Sequence, residues 1–239
     1  MDLKKLSGRI LDLLYPPKCA FCRRLVQDGR MLCPDCERKL PFPEKELQIQ
    51  HIPPLALCLS PLYYTEDVRL SLQRYKFHGA AAYSRIYGEL MAGCLEDHGL
   101  SADLVTWVPL SKKRLRSRGY DQARLLAVEV AQREGLQCRK LLTKHKHNRT
   151  QSGAGGPAER FRNVQGVYRP ADEAAGKRVL LVDDIVTTGA TLGEAAAVLL
   201  QAGAKEVIGL TLARNERQEV RPGRNRYGNW NGESQNADI

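Results

Sequence analysis

The stretch that decides the fold is Val179-Leu-Leu-Val-Asp183-Asp184-Ile-Val-Thr187-Thr188-Gly189-Ala190-Thr191. Its continuous apolar run is typical of a central parallel strand that is covered on both faces. In such sheets ligands gather beyond the carboxyl ends of the strands, which is where the two aspartates stand. Small hydroxyl and glycine residues then turn the chain into a helix, whose free N–H groups and positive dipole end suit a phosphate. The stretch therefore predicts a sugar-phosphate site, with carboxylates on ribose hydroxyls or on a Mg²⁺.

A plainer alternative exists for the same residues. Asp183 and Asp184 could merely cap a surface turn, and Thr187 to Thr191 could merely cap a helix. Two adjacent acids directly before a phosphate-cradle sequence favour the site over this alternative. If both carboxylates face a ligand, neutralising them should relieve like-charge repulsion in the empty protein.

Strands and helices alternate on both sides of this stretch. Apolar spacing predicts helices over 119–134 and 191–202, each ended by a glycine, and strands over 104–109, 138–142, 163–168, 179–182 and 207–212. Earlier in the chain, 55–65 is typical of a strand or hairpin, and 67–75 and 80–96 are typical of helices. Strands that alternate with helices imply parallel βαβ units. We therefore predict an α/β fold with a parallel sheet flanked by helices.

The pattern divides the chain into five parts. Leucine and isoleucine at helical spacing, ended by Pro16-Pro17, predict an amphipathic helix over 1–17. A small cysteine-rich module follows over 18–43, then a polar, proline-containing linker over 44–54 and the α/β domain over 55–213. The last part, 214–239, has almost no aliphatic residues, so we predict a disordered tail.

Four of the seven cysteines stand in two close pairs. Cys19, Cys22, Cys33 and Cys36 form a CxxC, a ten-residue gap and a second CxxC, which is the spacing of a tetrahedral zinc site. A disulfide framework and a thioredoxin-type redox pair are the alternatives, but they suit a different compartment or context. We predict a structural Zn²⁺ in a zinc-ribbon-like module. Because the module is small, we expect the α/β domain to have a separate core and to keep its fold without zinc.

Composition sets further limits. The 239 residues, 43% hydrophobic and 27% charged, are typical of a folded globular chain and exclude fibrous and wholly disordered classes. No apolar run approaches the roughly 18 residues that span a bilayer, so we predict no membrane span and a cytoplasmic location.

The positive charge is concentrated in one part of the chain. The net charge of +10 arises between Lys112 and Arg162, where 14 basic residues stand against four acids. A polyanion, either a phosphorylated small molecule or nucleic acid, should bind there. A solvated basic face is the alternative.

The stretch 179–191 closely resembles the phosphoribosyl-pyrophosphate (PRPP) binding signature of the type I phosphoribosyltransferases. A wider resemblance covers nearly the whole ordered chain. Its motifs are the four-cysteine module, Val108-Pro109, Arg118-Gly119-Tyr120-Asp121-Gln122, Arg149-Thr150-Gln151 and Arg160-Phe-Arg162-Asn163-Val164. Together they look like the ComF family, which is linked with DNA uptake in natural competence. The sequence has no GxxxxGK[ST] or GxGxxG motif, which disfavours nucleoside-triphosphate hydrolysis and dinucleotide redox chemistry.

The resemblance implies a role for each loop. Asp183 and Asp184 would contact the ribose hydroxyls of PRPP or a related sugar phosphate, with Mg²⁺ bound alongside. The 5′-phosphate would be wrapped by Thr187, Thr188, Gly189, Ala190 and Thr191, and pyrophosphate would be bound in the loop 109–119 by Ser111, Lys112, Lys113 and Arg118. Residues 144–162 would form a mobile lid, with Arg149 and Arg160 as its cations and Arg149 as a catalytic group beside the two aspartates. Lys76-Phe77-His78-Gly79 could also reach the site, although a helix-ending turn explains it equally well.

Two classes of function remain open. As an enzyme, the chain would be a Mg²⁺-dependent phosphoribosyltransferase whose cations neutralise departing pyrophosphate and whose closed lid excludes water. Several relatives place an acid at the position of Thr187, so the neutral residue there leaves the general base unidentified. As a binding protein, the chain would sense PRPP or a nucleotide, while its basic loops hold single-stranded DNA for the competence machinery. Tyr120 and Phe161 are then the candidates for base stacking.

Overall fold

A parallel sheet lies at the centre of the chain, in a computed structural model that describes residues 17–27, 29–145 and 166–215. Its strands are β1 Ile49–Gln50, β2 Leu57–Leu59, β3 Leu62–Tyr63, β4 Leu104–Trp107, β5 Gln137–Cys138, β8 Arg178–Val186 and β9 Glu206–Arg214; a separate antiparallel pair consists of β6 Leu142–Lys144 and β7 Tyr168–Pro170. The order is β1-β2-β9-β8-β4-β5, and β3 also pairs with β9. Only the pairing of β1 with β2 is antiparallel within this described sheet.

Helices cover both faces of the sheet. They are α1 Pro34–Lys39, α2 Glu66–Phe77, α3 Ser84–Asp97, α4 Lys112–Arg118, α5 Gln122–Arg133 and α6 Ala190–Gln201. Helices α2, α3 and α5 share one apolar cluster with Leu180 and Val182 of β8, while α6 packs on the other face with Val179 and Leu181. This division follows from the two-residue period of a strand. Within the described ranges, no helix is both long and apolar enough to cross a membrane.

The order of the strands creates a crevice at one edge of the sheet. From β4 the chain runs through α4 and α5 outward to β5, whereas from β8 it runs through α6 to β9 in the opposite direction. The strand order therefore reverses between β4 and β8, which are parallel neighbours. In open α/β sheets, ligands bind beyond the carboxyl ends of the strands at such a switch point. The residues predicted to bind a sugar phosphate lie at this edge.

The strand that carries the aspartates is longer than predicted. β8 continues through Val186, because its ladder with β9 continues as far as Arg214. Asp183 and Asp184 therefore lie within the strand and not after it. Since successive side chains of a strand point to opposite faces, the two carboxylates leave the strand on opposite sides.

Other predicted bounds shift for identifiable reasons. The stretch 55–65 is not a hairpin, because β2 and β3 pair successively with β9 in the same parallel sense. The helix predicted over 119–134 corresponds to α5 and begins later, at Gln122, because Gly119, with a φ of 79°, ends the separate helix α4. The strand predicted over 138–142 is divided between β5 and β6, and the described end of the one predicted over 163–168 joins β7.

The segment 44–54, interpreted as a linker, packs against the start of α6. It contains a 3₁₀ turn and β1. A Cβ at Gly189, where φ is 76°, would lie 2.6 Å from Cγ2 of Ile52, and a Cβ at Gly193 would lie 2.9 Å from the carbonyl oxygen of Pro53. Glycine at these two positions thus permits the close approach of the segment.

The proposed domain boundaries stay predictions. Residues 1–16, which hold most of the predicted amphipathic helix, and residues 216–239 of the predicted tail lie outside the described residues. Arg214, the first residue assigned to the tail, is the last residue of β9.

The four paired cysteines converge in space. The Sγ atoms of Cys19, Cys22, Cys33 and Cys36 all lie within 4.8 Å of one another. Tetrahedral zinc with Zn–S bonds of about 2.3 Å holds its sulfurs about 3.8 Å apart, so the cluster fits one zinc ion. A backbone hydrogen bond brings the pairs together, because the N–H of Ala20 donates to the carbonyl of Met31 at 2.9 Å, and Cys33 then caps α1 through its sulfur.

The module around these cysteines shares its core with the α/β domain, contrary to the expectation from its size. Ala20 and Phe21 are buried in the same apolar cluster as Tyr87, and the Phe21 and Tyr87 rings meet edge to face with centroids 6.0 Å apart. Ser71 donates to the carbonyl of Ala20 at 2.6 Å. Arg74 donates to the carbonyls of Ala20 and Phe21 at 3.0 and 2.6 Å. The expectation of a separate core was wrong, because the module covers apolar side chains of α2 and α3.

Loss of zinc should therefore destabilise the whole chain. Metal analysis should give about one zinc per chain, and the Cys33→Ser/Cys36→Ser variant should lose it. We expect this variant to melt at a lower temperature, with helix and tertiary signals lost together, because Ala20 and Phe21 leave the shared core. The matched control is Cys138→Ser, a cysteine outside the module, which should keep the zinc. A zinc-free variant with the wild-type melting curve would contradict the shared core.

Candidate functional site

An ion pair joins α2 to the carboxyl-terminal part of β8. The Nζ atom of Lys76 lies 2.8 Å from Oδ1 of Asp184, and the two side chains are only 19% and 15% exposed. Lys76 occupies the last turn of α2, on the sheet face that α2, α3 and α5 cover. Low exposure strengthens the attraction between the charges. Asp184 is thus neutralised by a lysine when no ligand is bound.

Asp183 is neutralised in a different way. Burial, and after it the neighbouring Asp184 carboxylate, raises the pKa of the Asp183 carboxyl to about 8. The backbone N–H of Asp184 donates to Oδ1 of Asp183 at 2.8 Å. Burial thus favours the protonated, neutral form of the Asp183 carboxyl. Binding of a cation or of sugar hydroxyls would favour loss of this proton.

A lysine, Lys144, stands near Asp183. The Nζ atom of Lys144 lies 5.2 Å from the ring centroid of Tyr168 and 3.4 Å from its hydroxyl. Burial and then Arg114 lower the pKa of the Lys144 ammonium, while Asp183 acts in the opposite direction. Lys144 begins the stretch that was predicted as a lid. An anionic ligand beside Asp183 would meet Lys144.

The predicted phosphate cradle leads from β8 into α6. Thr187 is exposed, Thr188 and Thr191 are half-buried, and Oγ1 of Thr188 accepts from the N–H of Ala190 at 3.4 Å. The N-cap residue of α6 is Gly189, which has no side chain to cap the helix. The end of this helix can therefore turn its N–H groups and its positive dipole toward an anion.

The basic loop after β4 is mostly helical. Ser111 is buried and caps α4, since its Oγ accepts from the N–H of Arg114 at 3.3 Å. Lys112 and Lys113 are exposed on the first turn. Arg118, at the other end, donates to Oε1 of Gln122 at 2.8 Å. Burial lowers the pKa of the Arg118 guanidinium, and Asp184 acts in the opposite direction, so Arg118 belongs to the Asp184 side of the site.

Tyrosines fix the end of α2 beside this site. The hydroxyl of Tyr75 donates to the carbonyl of Gln122 at 2.9 Å, and the hydroxyl of Tyr120 donates to the carbonyl of Tyr75. The rings of Tyr75 and Tyr87 meet edge to face, with centroids 5.3 Å apart. These contacts hold Tyr75, the residue directly before Lys76. Tyr120 is thereby committed to the fold and is a poor candidate for stacking on a base.

The structure unites part of the predicted site. The aspartates, the cradle and Arg118 meet at one edge of the sheet, while Arg149, Arg160 and residues 146–162 of the predicted lid lie outside the described residues. The stretch from Lys76 to Gly79 ends α2, and Lys76 also reaches Asp184. The helix-ending turn and the approach to the site are therefore both present.

Some nearby residues escaped sequence reasoning. Lys144 was predicted only as part of the lid, although the basic residues around it could have indicated an anion-binding site. Nothing in the sequence indicated that Ile52 and Pro53 approach the cradle, because a short polar, proline-containing stretch is typical of a linker.

The chain matches two known sequence families. A family model described as the phosphoribosyl transferase domain matches residues 121–234, and one described as the double zinc ribbon domain matches residues 10–47. The first match confirms the predicted phosphoribosyltransferase-type α/β fold. The second, together with the convergence of the four cysteines, confirms the zinc ribbon and supports a structural zinc.

Similar proteins have names connected with competence and DNA use. Competence protein F of Haemophilus influenzae is 28% identical over 207 residues, which cover 83% of this chain and 85% of that protein. The DNA utilization protein YhgH of Salmonella typhimurium is 30% identical over 199 residues, 79% of this chain and 86% of that protein. Competence protein ComFC of Bacillus subtilis is 29% identical over 218 residues, 89% of this chain and 81% of that protein.

The two aspartates should respond differently to neutralisation. An unfolded aspartate has a pKa of about 3.9, so the folded protein binds the extra proton of Asp183 between about pH 4 and pH 8, and stability falls as pH rises through this window. Asp183→Asn removes this loss and should become more stable relative to wild type toward pH 8. Asp184→Asn leaves Lys76 without its carboxylate and should cost about 2 kcal/mol. The expectation that both neutralisations relieve repulsion is thus revised for Asp184.

Melting temperatures measured from pH 5 to pH 9 check this difference. Glu206→Gln, at the opposite edge of the sheet, is the matched control and should follow the wild-type curve apart from a constant offset. Parallel curves for wild type and Asp183→Asn would show that Asp183 does not hold a raised pKa.

Proposed function

Because the chain belongs to the family of competence protein F and the DNA utilization protein YhgH, we propose that it binds PRPP and transfers the phosphoribosyl group. The observation that carries the proposal is the position of Asp183, Asp184 and the glycine-containing cradle, together at the switch point of a phosphoribosyltransferase-type sheet. A carboxylate pair and a phosphate-binding helix end are the groups that a phosphorylated sugar needs. We place this function in the cytoplasm, where thiols stay reduced and can hold zinc.

In the proposed complex, the ligand would replace the groups that neutralise the two aspartates before it binds. Its ribose hydroxyls would donate to Asp183 and Asp184 in place of the proton and of Lys76. Its 5′-phosphate would accept from the first N–H groups of α6 and from the hydroxyls of Thr188 and Thr191. Lys76, once released, is free to turn toward a phosphate oxygen of the same ligand. No charge needs to be left unpaired in the exchange.

The donors present also fit a Mg²⁺ bound together with PRPP. Magnesium prefers oxygen ligands and keeps several waters, so one or two carboxylates beside ligand oxygens suffice. Asp183 and Asp184 are the described residues that would stand nearest to it. When bound, the ion would supply positive charge to the departing pyrophosphate.

The described residues support the departure of pyrophosphate more clearly than the activation of a nucleophile. Arg118 lies on the Asp184 side and Lys144 lies near Asp183, so a cation would stand on each side of the bound ligand. Such charges stabilise the developing negative charge of the leaving group. Thr187 is exposed and neutral, so an acceptor would have to arrive already deprotonated or lose its proton to another group.

Neutral variants of the carboxylates test the proposed pocket. Asp183→Asn/Asp184→Asn should weaken binding of PRPP with Mg²⁺ at least about tenfold, equivalent to 1.4 kcal/mol, and Thr188→Val should weaken it through the 5′-phosphate. Calorimetric titration measures both, with Glu206→Gln as the control. Pyrophosphate release from PRPP with a panel of bases and nucleosides then tests transfer. Unchanged affinity in the double variant would exclude the pocket, whereas binding without release would leave a PRPP sensor.

A second candidate, binding of single-stranded DNA without catalysis, is favoured by the surface of α4. Lys112, Lys113, Arg114 and Arg116 are all exposed on this helix, and Leu115 between them is 41% exposed. A row of solvent-facing cations suits a polyanion better than a small buried phosphate. Two relatives are named for competence and one for DNA utilization, which agrees with this candidate and with a partner in the competence machinery.

Replacing these four cations by alanine separates the two uses of α4. If they hold DNA, anisotropy titrations of a labelled oligonucleotide should show weaker binding, with a log–log salt slope shallower by about 0.7 for each lost phosphate contact. Added PRPP should then compete in part, because α4 begins at the mouth of the crevice. An oligonucleotide titration identical in wild type and variant would end the DNA role of this helix.

A further inference from the structure

Phe77 is the most unusual aromatic side chain near the site. It is 61% exposed, whereas Tyr75, two residues earlier on α2, is fully buried. Large aromatic side chains normally bury most of their surface, because exposure of an apolar ring to water is unfavourable. Phe77 ends α2, and the chain leaves the helix directly after it through Gly79, whose φ is 69°. The ring is therefore held at the rim of the crevice without being part of the core.

One side of this ring already has a cation against it. The guanidinium carbon of Arg118 lies 4.8 Å from the centroid of the Phe77 ring. Arg118 is itself held in place, since it donates to Oε1 of Gln122 at 2.8 Å. The contact is a cation–π pair, which gives the ring a fixed orientation. With one face covered and 61% of the residue still exposed, the remaining ring surface is open to a ligand.

The ring stands beside the groups proposed to hold the sugar. Lys76, its direct neighbour, pairs with Asp184 at 2.8 Å. Burial lowers the pKa of the Arg118 guanidinium, and the same Asp184 carboxylate acts in the opposite direction. The tyrosine contacts described above fix the backbone of this turn. A ribose on Asp184 would thus have a flat apolar surface within reach of its substituent.

We propose that Phe77, backed by Arg118, is a stacking platform for a nucleobase. PRPP has no planar apolar part, so the ligand of this surface is a second chemical class: a purine or pyrimidine ring. The base has two sources, a free base or mononucleotide in the pocket and a base of single-stranded DNA lying along α4. The proposal deepens the proposed function and rests on it for the identity of the site, but the platform can be tested without PRPP.

Three substitutions at Phe77 separate stacking from packing. Phe77→Ala removes the ring, Phe77→Leu keeps an apolar side chain without a π face, and Phe77→Trp keeps the π face. The probes are AMP and UMP for the mononucleotide source, a labelled dT20 for the DNA source, and PRPP with Mg²⁺ as the ligand that should not stack. Phe42→Ala is the matched control, because Phe42 is 49% exposed and lies at the end of the zinc module.

We expect Phe77→Ala and Phe77→Leu to weaken binding of at least one base-containing probe about tenfold, within the range for one stacked base. PRPP affinity should stay within about twofold, and Phe77→Trp should keep binding and show fluorescence quenching when the base stacks. Loss of AMP and UMP alone assigns the platform to the pocket, and loss of dT20 alone assigns it to DNA.

Other results would overturn the platform. It fails if AMP, UMP and dT20 bind Phe77→Leu as they bind wild type, because a ring without stacking is then only an exposed apolar residue. It also fails if Phe42→Ala weakens the same probes equally. A wild-type chain that binds AMP or dT20 but not PRPP would refute the proposed function and leave the platform standing, so the two failures can be told apart.

Discussion

The helix α2 is the constraint on which the rest of the structure depends, because it is held from two sides by charge. Arg74 gives its hydrogen bonds to carbonyls of the zinc module, and Lys76, half a turn later, gives its charge to Asp184 of the central strand. Ser71 and Tyr75 complete the contacts on the two sides. One helix thereby fixes the distance between the zinc ribbon and the candidate site. The zinc ribbon is consequently a structural support of that site and not an appendage.

Because the candidate site lies within a strand, two neighbouring carboxylates are largely buried there, which is unfavourable if both stay charged and unpaired. The fold avoids this in two ways: a raised pKa favours the neutral form of Asp183, and the ammonium group of Lys76 pairs with Asp184. In the proposed function a ligand would replace both the proton and the ammonium group, whereas a permanent partner would close the site. Side chains alternate between the two faces of β8, so the two carboxylates lie in different surroundings and are neutralised in different ways.

The surroundings of the crevice suit a ligand with more than one chemical part. The N-terminal end of α6, two carboxylates, several cations and an exposed ring lie around one edge of the sheet. In the proposed reaction, PRPP and an acceptor base together would supply a phosphate, hydroxyls, a leaving group and a planar ring as the four complements. The exposed cations of α4 continue this surface outward, which connects a small-molecule pocket with names that refer to DNA.

Local patterns determined the elements that depend on local physics. The apolar run before Asp183 predicted a buried parallel strand, glycine and hydroxyl residues predicted the turn into α6, and CxxC spacing predicted the zinc ribbon. Only the tertiary structure decided the rest. Lys76 and Asp184 are 108 residues apart in the chain, and Ile52 approaches Gly189 across a similar distance, so no periodicity could pair them. The shared core of the zinc module depends on which apolar face α2 and α3 leave uncovered, and that is settled when helices pack, not by the order of residues along them.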